Sequence, residues 1–138
     1  YDPIAGIVWT TQTFDWEFDA DISYKLNNKA NSYEFGDMLA YNLSYQHRLW
    51  PRDLPDEGVP SFVYAVLEVN GTYVWKDKDH DSTNHNSGGH RLIFSPGLQW
   101  LNKSWVIEAT MRLPLFEHLN GTALELDYGF TLGFRCRF

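Results

Sequence analysis

The chain has 138 residues, of which 43% are hydrophobic and 17% aromatic, and its 11 Lys and Arg against 18 Asp and Glu give a formal net charge of −7. This aromatic content excludes an unfolded acidic chain, and the length fits one domain. The apolar runs are too short for a membrane-spanning helix, and the acidic balance with scattered basic residues predicts no nucleic-acid partner.

Seven segments with a two-residue alternation of apolar and polar side chains predict β-strands. The clearest begins at Trp16, where even positions as far as Leu26 are apolar and odd positions are mostly charged or polar. No helix is predicted. In chain order the predicted strands are Ile4–Phe14, Trp16–Leu26, Phe35–Arg48, Phe62–Trp75, Arg91–Leu101, Trp105–Leu115 and Leu124–Phe138.

Short and long connections alternate along these strands. Two-residue turns are predicted at Asp15-Trp16 and at Asn102-Lys103, which would place Ile7 opposite Tyr24 and Trp100 opposite Trp105. The connections 27–34, 76–90 and 116–122 are longer and polar, and 51–61 is long where a tight turn is expected. Pro96 falls within a predicted strand and is expected to cause a β-bulge.

The predicted fold is an all-β, antiparallel up-and-down barrel, but alternation alone does not decide which face meets water. A soluble, lipocalin-like barrel would turn the apolar face inward around an apolar ligand. Strands of about ten residues or more, long loops at one end and aromatic side chains near strand ends favour a transmembrane barrel. The predicted membrane-interface aromatics are Trp16, Tyr24, Trp75, Trp100, Trp105, Tyr128 and Phe138.

In a transmembrane barrel the polar face would line a hydrated lumen. The lumen-facing candidates for selectivity are Glu17, Asp19, Asp21, Glu68, Glu108, Arg112, Glu125, Asp127, Arg135 and Arg137. Arg112 is expected near Glu125 or Asp127. Acidic and basic side chains on different parts of the wall would select solutes by charge. A purely structural barrel without conduction is a third interpretation.

The segment Lys76–His90 concentrates His and Asp residues. The metal-ligand candidates are Asp77, Asp79, His80, His85 and His90, with Asp81 completing a calcium-like spacing. Because Ser82 stands where a calcium loop needs Gly and no Glu closes the loop, a solvated outer loop is the favoured interpretation and metal binding the alternative. No metal or other cofactor is expected. With no nucleophile-elbow motif, the chain is predicted not to be an enzyme, and no catalytic residue is assigned.

Six segments carry a resemblance to a known family: Trp16–Lys25, Glu34–Asp37, Tyr45–Pro51, Gly89-His90, Ser95–Gln99 and Leu119–Thr122. They resemble the transporter-like outer-membrane family labelled "MetA-pathway of phenol degradation". A chain that ends in Phe138 after an amphipathic strand also resembles the C-terminal strand recognised by the outer-membrane assembly machinery. The resemblance spans nearly all 138 residues and matches the C-terminal part of such proteins.

The resemblance implies a porin-like pore or transporter in the outer membrane of a Gram-negative bacterium, passing small aromatic or hydrophobic compounds. Its implied partners are the lipid bilayer, the assembly machinery and a small solute. Residues 1–138 would form one β-barrel domain or its C-terminal portion. Because bacterial single-chain barrels normally have an even number of strands, at least one further strand is expected. No oligomeric state is predicted.

Overall fold

The computed structural model describes residues 1–80, 82–122 and 124–136, which are all-β and contain no helix. Accordingly, none of the described segments is a helix long and apolar enough to cross a membrane. The strands are β1 (Ile4–Gln12), β2 (Trp16–Lys25), β3 (Tyr33–Glu34), β4 (Met38–Trp50), β5 (Phe62–Val74), β6 (Lys78–Asp79), β7 (Ser82–Thr83), β8 (Gly89–Leu101), β9 (Trp105–Leu119) and β10 (Gly129–Cys136).

The seven long strands form a single antiparallel sheet in the order β1-β2-β4-β5-β8-β9-β10. Each long strand pairs with the next one along the chain. The prediction of seven antiparallel strands is therefore confirmed. The sheet is open, with β1 and β10 as its two edges, so the described residues do not close a barrel by themselves.

Two of the long connections join in a small second sheet that the sequence did not predict. Strand β3 pairs with β6, and β6 pairs with β7. The small sheet ties the connection after β2 to the connection after β5. Both connections lie at the same end of the main sheet, the loop end, whereas the turns 13–15 and 102–104 lie at the opposite end, the tight-turn end.

The predicted hairpin registers are wrong by two residues. Ile7 lies opposite Ile22, and Trp100 lies opposite Ile107. The reason is side-chain capping. The Asn102 side-chain oxygen accepts hydrogen bonds from the N–H groups of Ser104 (2.8 Å) and Trp105 (3.0 Å), so Asn102 opens the turn instead of lying at its centre.

Thr13 has the same role in the first turn, where its hydroxyl oxygen accepts from the N–H groups of Asp15 and Trp16. The central turn residues are therefore Phe14-Asp15 and Lys103-Ser104. Since a shift of two residues returns every side chain to its original face, the predicted faces are unaffected.

The expected bulge at Pro96 is also wrong. Pro96 pairs with Leu67 without a change of register. The irregularity between β8 and β9 lies instead where Ile93 pairs with Pro114 and Leu92 with Phe116, which leaves Leu115 as the extra residue. A second irregularity at Leu49, between β4 and β5, inserts one residue near the tight-turn end.

The last strand begins at Gly129, five residues later than predicted. Side chains take up backbone groups of the preceding segment. Glu117 Oε2 accepts the Leu126 N–H at 2.8 Å, and Arg91 donates to the Leu124 carbonyl at 3.5 Å. These contacts replace the ladder bonds that the alternating pattern of residues 124–128 predicts.

The two faces of the main sheet have opposite chemistry. One row across six strands reads Trp9, Ala20, Leu43, Val69, Phe94 and Leu113. The adjacent row, on the other face, reads Thr10, Asp19, Ser44, Glu68 and Ser95. We call these the apolar face and the polar face. They include every second residue along each strand, except that the alternation shifts by one residue at Leu49 and at Leu115.

The described residues form no buried hydrophobic core. Large side chains of the apolar face are open, with Ile7 73% exposed, Leu98 56% and Phe130 69%. On the polar face, in contrast, Ser95 is 3% exposed and Arg48 is 6% exposed. The sheet therefore shields its polar side chains better than its apolar ones, which is opposite to the usual arrangement in a water-soluble β-protein.

Candidate functional site

A row of carboxylates and hydroxyls crosses the middle of the polar face. Asp19 lies opposite both Thr10 and Ser44, and Glu68 lies opposite both Ser44 and Ser95. The Thr10 hydroxyl donates to Asp19 Oδ1 at 2.6 Å. Two of the predicted acidic residues are thereby brought to either side of Ser44.

A parallel row lies next to it, toward the loop end. Asn42 stands opposite both Asp21 and Asn70, and its side-chain amide donates to Asp21 Oδ1 at 2.8 Å. The two rows together line a cleft of about 310 Å³. Asn42, Ser44 and Asn70 were not predicted as site residues, although their positions in the alternation place them on the polar face.

Charges on β8, β9 and β10 are paired differently. Arg91 Nε lies 2.6 Å from Glu117 Oε1, and Arg135 Nη2 lies 3.1 Å from Glu108 Oε2. Asp19 and Asp21, in contrast, accept hydrogen bonds from uncharged donors. The polar face therefore has an acidic part on β2 and β5 and a part with arginine–carboxylate pairs on β8 to β10.

Glu17 and Arg112 are also on the polar face, opposite Gln46 and Gly129. A Cβ atom at Gly129 would lie 3.4 Å from Arg112 Nε, an ordinary contact distance, so the Arg112 side chain extends over Gly129. Gln46 and Gly129 are neutral neighbours. Both charges therefore lie where the alternation predicts them.

Two predicted lumen residues are not on a strand. Glu125 and Asp127 precede β10, so their placement on the polar face of a strand is wrong. Asp127 lines a cavity of about 270 Å³ together with Arg112, whereas Glu125 is exposed. The prediction for Arg137 lies outside the described residues.

Arg48 is the least exposed charged residue in the described part of the chain, and it is not among the predicted site residues. Its guanidinium forms an ion pair with Asp15 and lies 4.8 Å above the Phe14 ring. The Arg48 N–H also donates to the Asp15 carbonyl at 2.8 Å. Nη1 is buried and has no hydrogen-bond partner in the described part of the chain. Arg48 thus fastens the first turn to β4 at the tight-turn end.

Aromatic side chains form two groups on or next to the apolar face. At the tight-turn end the rings of Trp100 and Trp105 are 4.7 Å apart, and those of Trp16 and Tyr45 are 6.4 Å apart. Trp100 and Trp105 are not directly opposite each other in the observed register, but their rings still pair because the two residues are diagonal neighbours on one face.

At the loop end, the Trp75 ring lies 5.7 Å from Tyr24 and 4.7 Å from Tyr73. Five of the seven predicted interface aromatics thus belong to one of these groups. Tyr128 lies before β10 and is 77% exposed, outside both groups. The prediction for Phe138 lies outside the described residues.

Asp77, one of the metal-ligand candidates, makes structural hydrogen bonds. It accepts hydrogen bonds from the Tyr33 hydroxyl at 2.6 Å and from the Gly36 N–H at 2.8 Å. The hydrogen bond to Asp77 raises the pKa of Tyr33, because the phenol must give up this bond to ionise. Asp77 therefore holds together the two connections that form the small sheet.

The other metal candidates are separated. His80 Nδ1 lies 2.6 Å from Asp79, and His85 Nδ1 lies 3.4 Å from the Lys76 ammonium. Across residues 1–80, 82–122 and 124–136, no group of three or more His, Cys, Asp and Glu side chains could hold a metal ion. Asp81 lies outside those ranges.

His90, the last metal candidate, is on the apolar face of β8. Its Nε2 lies 2.7 Å from the Tyr41 hydroxyl, and its ring is 5.9 Å from Tyr73 and 5.2 Å from Phe116. These neighbours are aromatic, and no group of three ligating side chains forms around His90 in the described residues. The pairing extends the aromatic group of the loop end across β4, β5, β8 and β9.

Comparison with known proteins adds no family. No family model, no curated protein and no solved structure matches this chain.

Proposed function

We propose that this chain forms part of the wall of a bacterial outer-membrane β-barrel, a non-catalytic pore or transporter whose polar face lines the passage for small solutes. The observation that supports this proposal most directly is that side chains of the apolar face are more exposed than side chains of the polar face. Ile7 and Phe130 are 73% and 69% exposed on the apolar face, while Ser95 on the polar face is 3% exposed. Exposed apolar area costs about 25 cal/mol per Å² in water, a cost that a hydrocarbon solvent removes.

Strand length supports the same proposal. Strands β4, β5 and β8 have 13 residues each, and β9 has 15. A tilted strand needs about 9–11 residues to cross a bilayer. The aromatic groups lie toward both ends of these strands, as expected for side chains at two membrane–water interfaces.

The two open edges set a condition on the complete barrel. Because β1 and β10 are the first and seventh of successive antiparallel strands, they run in the same direction. A barrel closed by antiparallel pairs alone therefore requires an odd number of further strands between these edges. A second copy of the chain with the same membrane orientation would present parallel edges.

A soluble barrel with an apolar ligand receives less support. It requires the apolar face to enclose a cavity, whereas Leu98 and Phe130 on this face are 56% and 69% exposed. The family resemblance adds aromatic or hydrophobic compounds as the proposed solutes and the outer-membrane assembly machinery as a partner. Both rest on that resemblance alone.

Selectivity of the proposed lumen can be tested at Asp19 and Asp21. Both carboxylates are on the polar face and have uncharged hydrogen-bond donors. A cation about 5 Å from each carboxylate gains about 0.4 kcal/mol per charge in screened water. The double variant Asp19→Asn/Asp21→Asn should therefore lower the cation-to-anion permeability ratio about fourfold in planar-bilayer recordings with a salt gradient.

Asp53→Asn/Asp56→Asn is the charge-matched control, because it removes two carboxylates from the connection 51–61, outside the sheet. Its effect on the reversal potential should be clearly smaller. A reversal potential that is the same in wild type and in Asp19→Asn/Asp21→Asn would contradict the placement of these side chains in the lumen.

A further inference from the structure

A cavity of about 580 Å³ lies where the apolar face meets the long connections at the loop end. Tyr73, His90 and His118 reach it from the apolar face, and Trp75 and Lys76 reach it from the start of the next connection. The cavity therefore combines aromatic rings with nitrogen donors at the border of the apolar surface.

Hydrogen-bond donors in this cavity are only partly used. His90 and His118 are directly opposite each other on β8 and β9. His90 uses Nε2 toward the Tyr41 hydroxyl, at 2.7 Å. The Lys76 ammonium has three donor hydrogens, and its contact is the His85 ring at 3.4 Å. A cation and two imidazoles are thus available to an acceptor inside the cavity.

The two carboxylates of the same cavity already have ion-pair or hydrogen-bond partners. Glu34 forms an ion pair with Lys78 at 3.4 Å. Asp37 accepts hydrogen bonds from the Tyr24 hydroxyl and from the Asn27 N–H, the latter at 2.8 Å. These two hydrogen bonds, that of Tyr24 first, lower the pKa of Asp37. Among the residues that the structure describes, Lys76 is therefore the lysine of this cavity without a carboxylate partner.

We propose that this cavity binds the phosphate of a phospholipid headgroup, with Lys76 and His118 as its main donors. The inference rests on the proposed function, because the aromatic group around Trp75 then marks the level of the headgroups. One lysine near the membrane surface adds about 1 kcal/mol of attraction to an anionic lipid. The neighbouring apolar face would hold the acyl chains.

Native mass spectrometry of the full-length protein in maltoside micelles, titrated with dioleoyl phosphatidylglycerol, tests this site. Lys76→Gln should weaken lipid binding about fivefold, and His118→Gln should weaken it measurably. The matched control is Lys25→Gln, which removes the same charge at the same end of the sheet. Lys25 is on the polar face and is paired with Asp2 at 3.9 Å, so its loss should leave lipid binding unchanged.

Comparison with inorganic phosphate and with phosphate-free vesicles distinguishes failure of the lipid site from failure of the proposed function. Equal lipid affinity of Lys76→Gln and wild type would overturn the site. Inorganic phosphate binding as tightly as the lipid would identify a free-anion site and overturn the headgroup assignment. Insertion of every variant is measured in vesicles of a galactolipid without phosphate. If the wild type inserts into these vesicles, the proposed function is supported whatever the lipid titration shows. If it does not insert into any vesicle, both proposals are wrong.

Discussion

Neighbouring residues on β4 provide a matched test of the two faces. Leu43 is on the apolar face, opposite Ala20 and Val69, and is 44% exposed. Ser44 is on the polar face, opposite Asp19 and Glu68. Both residues are near the middle of Met38–Trp50, so Leu43→Arg and Ser44→Arg add the same charge at the same depth to opposite faces.

The two variants should differ strongly if the apolar face meets hydrocarbon. Arginine on the lipid face near the bilayer midplane costs about 2–4 kcal/mol. Arginine at Ser44 would stand between two carboxylates, where each ion pair contributes about 0.2–1 kcal/mol in a hydrated environment. We therefore expect Leu43→Arg to lower the free energy of unfolding by at least about 2 kcal/mol and Ser44→Arg to change it by less than about 1 kcal/mol.

Urea unfolding of the protein refolded into phosphatidylcholine vesicles, followed by tryptophan fluorescence, measures both changes. In a soluble protein, substitution of a half-exposed surface leucine usually changes stability by no more than about 0.5 kcal/mol. A Leu43→Arg variant that remains as stable as wild type would therefore refute contact of the apolar face with lipid. Equal destabilisation by both variants would refute the difference between the faces.

Three further substitutions test local features by the same unfolding measurement. Gly71→Val should cost about 1–3 kcal/mol, because a Cβ atom there would lie 2.0 Å from Tyr41 Cζ and the ring must move; an unchanged stability would contradict this close packing. Asn102→Ala should cost about 1 kcal/mol through loss of the turn hydrogen bonds, and a neutral result would show that the cap is dispensable. Since hydrogen bonds from Tyr24 and the Asn27 N–H lower the pKa of Asp37, its carboxylate stabilises the fold above about pH 4, and this contribution is lost as the pH falls through the lowered value. Asp37→Asn should therefore reduce the loss of stability on acidification, and an identical pH profile would contradict the assignment.

Alternation predicted the strands because a two-residue period specifies faces directly. It placed Asp19 and Glu68 on one face and Leu43 and Val69 on the other, which agrees with the observed register. Register within a hairpin depends on which residue opens the turn. In the second turn, the hydrogen bonds that the Asn102 side-chain oxygen accepts make Asn102 the residue that opens the turn. A count of two turn residues takes no account of these hydrogen bonds.

Other features depend on contacts between distant residues and therefore leave no local signal. Residues 124–128 alternate like a strand, but Glu117 takes the N–H of Leu126. Strands β3 and β6 are two residues long and exist because Asp77 binds Tyr33 across 44 positions. The ion pair of Arg91 with Glu117 joins β8 to β9, and neither residue is among the predicted site residues.

Heat modifiability after membrane fractionation tests the central claim most directly. The full-length protein is expressed with a signal peptide, extracted, and run on a gel with and without boiling. A transmembrane barrel should stay in the membrane fraction until detergent is added and should change its mobility on boiling. A monodisperse protein in buffer without detergent, with one mobility in both samples, would contradict the outward orientation of the apolar face.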